Sequence, residues 1–333
     1  MKKHVIALAV SAAAAMPAFA QNVSVYGIYG MSYDQAEISG VSQSSSSSRD
    51  PLNSSRFGIK GTEDLGGGMK ASFTLEGDLN PQDGSGDSSG QGLTFDRAAF
   101  IELDTGAGVQ IQAGRFANAT KRIDSTASAG TNLMDLGYFL FSTDTIGSIG
   151  LTGKMGSVSF WAQHSNDVSA ASAMSSAASN TVNQTAITAQ TGLSETGAGL
   201  GVVLGGIDFK IARTERGGAT ETVGTVSGTL AGATITALAA RSETAQAAAA
   251  AIRGKSGNVQ LGVVYPVSGL NVRASIGRVS HDTTTNESKY MGVMLEKPLS
   301  KRTSVYVGYA DKDVNNGLTG DITVSTAGIT HSF

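Results

Sequence analysis

Residues 54–80 read SSRFGIKGTEDLGGGMKASFTLEGDLN, and the order of side chains in this stretch decides the fold. From Met69 to Glu76, the residues Met69, Ala71, Phe73 and Leu75 alternate with Lys70, Ser72, Thr74 and Glu76. An extended strand sends successive side chains to opposite faces, so one face here is apolar and the other charged or hydroxylic. Phe57 and Ile59 alternate with Arg56 and Lys60 in the same way, and Glu63-Asp64-Leu65-Gly66-Gly67 joins the two runs tightly. The stretch predicts two antiparallel strands, greasy on one side and wet on the other.

The two-residue period recurs along the chain, and helical periodicity is scarce. Val305, Val307 and Tyr309, for example, alternate with Ser304, Tyr306 and Gly308. Sixteen strands are predicted near 22–33, 52–62, 68–79, 93–104, 108–115, 145–153, 156–165, 198–204, 207–214, 221–230, 233–242, 256–265, 270–280, 287–297, 302–311 and 321–333. Their connections alternate in length. Thr105-Gly106-Ala107, Gly205-Gly206, Ala231-Gly232, Ser268-Gly269 and Pro298-Leu299-Ser300 are tight, whereas 34–51, 80–92, 116–144, 166–197, 243–255 and 312–320 are longer and polar. Short turns on one rim and long loops on the other are the plan of a transmembrane barrel. A soluble sandwich or a solenoid also alternates, but its connections would not sort so regularly.

Composition agrees. After residue 20 no apolar run is long enough for a membrane helix, so strands closed into a barrel are the remaining way to satisfy the backbone in lipid. Hydrophobic content of 40% suits a wall with one lipid face and one wet face. The 43 glycines against five prolines suit tight turns and crowded walls. Cysteine is absent, which excludes disulfide and thiol chemistry, and a net charge of -3 gives nucleic acid no electrostatic footing. Residues 1–20 have the layout of a secretory signal: Lys2 and Lys3, the apolar stretch Val5 to Ala15, Pro17, then Ala18-Phe19-Ala20 with Gln21 as the first mature residue. The barrel domain is therefore expected at 21–333. Ser44 to Ser48 and the serine- and alanine-rich residues 168–180 read as exposed loops, and Ala247 to Ala251 as loop or a helical turn.

The quoted stretch resembles the second and third strands of the betaproteobacterial general porins, outer-membrane proteins of Gram-negative bacteria. Arg56, Phe57, Gly58, Ile59, Lys60 and Gly61, followed by Thr62 through Gly68, match the motif nearly without a break. SVYGIYG (24–30) resembles the family's first strand. RAAFIEL (97–103) and AGRF (113–116) resemble its fourth and fifth, and KPLSKRTSVYVGYADKD (297–313) and GITHSF (328–333) its last two. Between about 166 and 255 the match is one of texture. The resemblance implies an all-β, sixteen-stranded antiparallel barrel in the outer membrane, with periplasmic short turns and extracellular long loops. It implies a homotrimer, surrounded by lipid and lipopolysaccharide and built by the barrel-assembly machinery. It also implies passive diffusion of ions and small hydrophilic solutes, and a third loop, 116–144, folded inward to narrow the pore.

Selectivity in such a pore comes from charges at its narrowest point. Alternation puts Arg56, Lys60 and Lys70 on the polar face. Arg97 and Arg115 match family arginines that face the lumen. Strict alternation groups Arg97 with Ile101 and Leu103, and Arg115 with Val109 and Ile111, so a strand end or a bulge has to intervene. The third loop carries Lys121, Arg122, Asp124, Asp135 and Asp144; basic and acidic groups facing each other would set a transverse field, and the bland alternative is solvated charge on a wet wall. Phe333, on one face with Ile329 and His331, resembles the terminal aromatic read during barrel assembly.

Other motifs are weak. Asp311-Lys312-Asp313-Val314-Asn315 lacks the glycine and glutamate of a calcium loop, since Asn316 stands at the bend. Asp83 and Asp87 fit a turn better than a cation site. Gly197-Ala198-Gly199-Leu200-Gly201 misses the dinucleotide fingerprint. His4, His164, His281 and His331 have no metal-ligand spacing, so neither metal, cofactor nor catalytic group is expected. A barrel enzyme would need a clustered acid, base and nucleophile; a structural or adhesive barrel is the other alternative to a channel.

Overall fold

A computed structural model describes residues 22–38, 41–47, 51–86, 92–124, 129–134, 144–168, 193–244, 254–281, 287–314 and 321–333. The strands are β1 (Asn22–Ile38), β2 (Val41–Ser47), β3 (Arg56–Gly66), β4 (Met69–Asp78), β5 (Ala98–Asp104), β6 (Val109–Ala117), β7 (Asp144–Met155), β8 (Val158–Val168), β9 (Leu193–Leu204), β10 (Ile207–Arg216), β11 (Ala219–Leu230), β12 (Ala233–Thr244), β13 (Gly254–Val267), β14 (Leu270–His281), β15 (Glu287–Pro298), β16 (Thr303–Val314) and β17 (Ile322–Ser332). From β3 to β17 each strand pairs antiparallel with the next, and β17 returns to β1 from Ile28↔Ser332 to Ile38↔Ile322. The sheet closes on itself, so the wall has no open edge.

The lower part of β1 pairs β3 and the upper part pairs β2. The seventeen strands therefore make sixteen staves, with β2 and β3 sharing one. This corrects the reading of Ser44 to Ser48 as loop: Ser44 to Ser47 belong to β2, paired with β1 by the backbone. A serine run has no apolar alternation to reveal such a strand. Strand β5 also starts at Ala98 rather than near 93. The Asp78 N–H donates to Asp96 Oδ1 at 3.0 Å, so a side chain stands where a ladder carbonyl would be. On the long-loop rim, β10 and β11 are joined by Gly217-Gly218 alone, both at positive φ.

Cross-strand partners share a face, so the inward side can be followed around the ring. It holds Tyr26, Arg56, Glu76, Trp161, Thr214, Val223, Leu238, Tyr290 and Tyr306. The opposite parity exposes Val25, Ile101, Ile111, Leu151, Leu200, Ile211, Leu261, Ile276, Val307 and Ile329. A soluble protein would bury such side chains; a barrel in hydrocarbon turns them outward. Inward rings lie over the glycine directly opposite: Tyr26 on Gly58, Trp161 on Gly199, Tyr290 on Gly277 and Tyr306 on Gly328.

Candidate functional site

The quoted stretch builds one wall of the interior. In register, Arg56 stands opposite Asp78, Gly58 opposite Glu76 and Lys60 opposite Thr74. The Arg97 Nε donates to Glu76 Oε1 at 2.8 Å and its Nη1 to Asp78 Oδ1 at 2.7 Å. The Tyr26 hydroxyl donates to Glu76 Oε2 at 2.9 Å, and Arg56 Nη1 lies 3.8 Å from Glu76 Oε1. Arg56 Nε donates to the Ser54 carbonyl at 3.2 Å, and the Lys60 ammonium sits 4.9 Å above the Tyr26 ring centre. The structure thus gathers Arg56 and Arg97 around two carboxylates, with Lys60 over the ring of Tyr26. Glu76, Asp78 and Tyr26 were not singled out from sequence, although Glu76 shares the polar face of its strand with Lys70.

Arg97 reaches this cluster because it precedes β5, where the strand parity of Ile101 and Leu103 does not apply. Arg115 stands opposite Ala99, on the outward parity of Ile111 and Ala113, so the register does not bring it to the inward wall expected from the resemblance. The register shift beside it, from Gly114↔Ser148 to Phe116↔Thr145, takes its extra residue from β7 and leaves that parity unchanged. Gly114 has φ 129, and a Cβ there would collide with the Ala99 carbonyl, so the position takes only glycine. Arg115 is half-buried near Asp96, whose carboxyl is pushed up by burial, with Arg115 acting in the opposite sense. Lys70 faces inward near the short-turn rim, opposite Asp64 and Asp104. Lys60 and Lys70 are exposed and form no ion pair among the described residues.

The described parts of the third connection lie against the inner wall. Ala119 and Ile123 pack on Trp161, Ala212, Val223 and Leu238, and Trp161 Nε1 donates to the Ala119 carbonyl at 3.0 Å. Farther on, Ala129, Leu133 and Met134 pack on Leu52, Met294, Tyr306 and Ala310. Lys121 Nζ and Asp144 Oδ1 pair at 2.8 Å, so these two charges offset each other. Arg122 Nη2 donates to Gln112 Oε1 at 2.6 Å and its Nε to the Ala117 carbonyl at 3.1 Å, with the Phe116 ring beneath. Burial holds this guanidinium below its ordinary pKa, with Glu102 acting in the opposite sense. The Asp124 side chain and Asp135 lie outside the described residues, as do residues 1–20, Asp87, 169–180 and 247–251.

Behind the loop, Arg216 pairs with Glu195, both fully buried, and Ser242 donates to Glu221 at 3.1 Å. Many inward side chains on β10 to β16, such as Thr214, Val223, Tyr290 and Met294, are buried, while Asp208 and Lys210 toward the short-turn end of β10 keep 34% and 31% of their side chains exposed. Along β3 and β4, Arg56 keeps 25% of its side chain exposed and Lys60 and Lys70 are open. The open part of the interior thus includes the basic wall.

Three comparisons bear on this arrangement. A family model described as Gram-negative porin matches residues 7–317. Outer membrane porin protein 32 of Delftia acidovorans is 36% identical over 117 residues, 34% of this chain and 32% of that protein. An outer membrane porin protein of Bordetella pertussis is 30% identical over 164 residues, 44% of this chain and 42% of the relative. The chain thus matches less than half the length of either curated relative. Among solved structures, the anion-selective porin from Comamonas acidovorans aligns with 94% of this chain and 100% of its own, at a TM-score of 0.75 and 19% identity, which speaks to the fold.

Proposed function

This chain belongs to the Gram-negative porin family, and from that premise we propose that it is a water-filled channel for passive diffusion of ions and small hydrophilic solutes across the outer membrane. The observation that carries the reading is the asymmetry of the interior. A closed barrel with an apolar exterior is filled on one side by its own third loop and left open along Arg56, Lys60 and Lys70. Charges lining a passage choose among ions without a chemical step, so the activity is diffusion rather than catalysis. Proteoliposomes containing the protein should swell in small sugars. Folded protein that gives no swelling would refute the channel.

The functional unit is a homotrimer in this reading. Strand β5 has seven residues, whereas a tilted membrane-spanning strand needs about 9–11. Its outward residues Ala99, Ile101 and Leu103 carry no charge. A wall too short to match the bilayer and too apolar for water suits cover by a second copy. The taller faces meet lipid and, on the long-loop side, lipopolysaccharide. Residues 1–20 act as the export signal, and mass spectrometry of the mature protein should find Gln21 at its start; retained residues 1–20 would dismiss this. Phe333 serves assembly through the barrel-assembly machinery.

A further inference from the structure

The tip of the third loop is held between two parts of the wall. On one side, the Asn132 and Leu133 N–H groups donate to the Pro51 carbonyl at 2.8 and 3.1 Å, and Asn132 Nδ2 donates to Ser54 Oγ at 3.1 Å. Ser54 is the residue whose carbonyl accepts from Arg56, so the tip borders the open passage. On the other side stands Arg273, inward on β14. Its Nη1 donates to the Ala129 carbonyl at 2.6 Å, while Nε and Nη2 donate to Glu296 Oε2 at 3.0 and 2.8 Å. Glu296 is fixed in turn by Asn271 Nδ2 at 3.1 Å and Ser304 Oγ at 2.8 Å.

The planar guanidinium is therefore aimed, with one edge on an immobilised carboxylate and the other on the loop backbone. It meets the loop where the chain reverses. Ala129 and Gly130 both lie at left-handed φ, 54 and 68, and an alanine keeps that conformation only where its surroundings hold it. A second anchor is apolar: Leu133 and Met134 sit over Gly308 and Gly292, where side chains would leave no room.

We infer that Arg273 is a positioning residue for the constriction, drawing the 129–134 segment against β14 to β16 and so setting the loop side of the pore beside Arg56. The inference rests on the channel reading for its effect on permeation, but its effect on the loop can be read independently.

Arg273→Ala would strand the Glu296 charge, so the informative variant is Arg273→Met with Glu296→Gln, which keeps bulk and removes both charges. The chain has no cysteine, so Met134→Cys introduces a single thiol. Met134 is fully buried, and a polar maleimide should label that thiol severalfold faster in the Arg273→Met/Glu296→Gln background. Bilayer recordings of the same background should show a larger, noisier single-channel conductance, with heat stability of the oligomer unchanged. Met134 Cγ lies 2.5 Å from where a Cβ on Gly292 would be, so Met134→Cys with Gly292→Cys can close a disulfide. Oxidation should restore the quiet conductance and reductant should undo it. Unchanged labelling and unchanged conductance overturn the assignment. Faster labelling in a protein that never conducts supports the latch and instead refutes the channel.

Discussion

Arg56 sits where charge and access coincide. It is inward, partly exposed, 3.8 Å from Glu76 and bound to the backbone beside the third-loop tip. Two unit charges about 4 Å apart interact by roughly 1–4 kcal/mol between water-like and surface-like dielectrics. About 1.4 kcal/mol changes an ion's relative occupancy tenfold. Arg56→Glu is expected to shift permeability toward cations while trimers still form, and Arg56→Gln to shift it less, without repulsion against Glu76. The effect should fade with salt, since the screening length falls from about 10 Å at 0.1 M to about 3 Å at 1 M. Reversal potentials in a salt gradient test this; an unchanged ion ratio at low salt removes Arg56 from the constriction. Its inward direction was legible in the sequence, because parity in a strand is local. The placement of Arg97 was not, because it depends on the Asp96 side chain replacing a ladder carbonyl ahead of β5, which alternation cannot show. Arg115, by contrast, keeps the outward parity that alternation gives it, opposite Ala99.

At the scale of the strands, alternation located every stave but underestimated several. Strand β1 runs to Ile38, β8 to Val168 and β16 to Val314. Their upper ends mix polar residues such as Asp34 and Gln35, or Lys312 and Asp313, into both faces, so pairing there rests on backbone hydrogen bonds rather than on a clean hydrophobic alternation. The glycines inside strands also have a reason that composition could not supply. Gly199 lies opposite Trp161, and any Cβ on it would meet the indole that holds Ala119 of the third loop. Crowding of this kind costs about 1–3 kcal/mol. Gly199→Ala should therefore lower the midpoint of heat or denaturant unfolding and disturb conductance. Gly224→Ala is the control: its new methyl would find only ordinary contacts, at 3.7 Å and beyond. Equal stability of the two variants would show that the indole does not need its glycine.

For the whole molecule, closure is the event that creates both the wall and the pore. The seam is made by β1 and β17 and finished by reciprocal bonds, Gly27 N–H to Phe333 O at 3.2 Å and Phe333 N–H to Gly27 O at 3.1 Å. The Phe333 ring covers Gly27 on the outer surface. The protein is expected to run on gels as a detergent-resistant oligomer that dissociates only on heating. Phe333→Ala should cut the yield of that oligomer, and normal yield would leave Phe333 an ordinary rim aromatic. The sequence by itself determined the class of fold: a period of two, short turns alternating with long loops, and no apolar helix, because each of these is written over a few neighbouring residues. Only the tertiary structure decided which charges meet. Arg97 joins Glu76 and Asp78, Lys121 offsets Asp144, and Arg273 reaches Ala129 across 144 residues of chain. Such contacts exist only once the ring has closed in one register and the third loop has settled inside it, and no local pattern encodes that geometry.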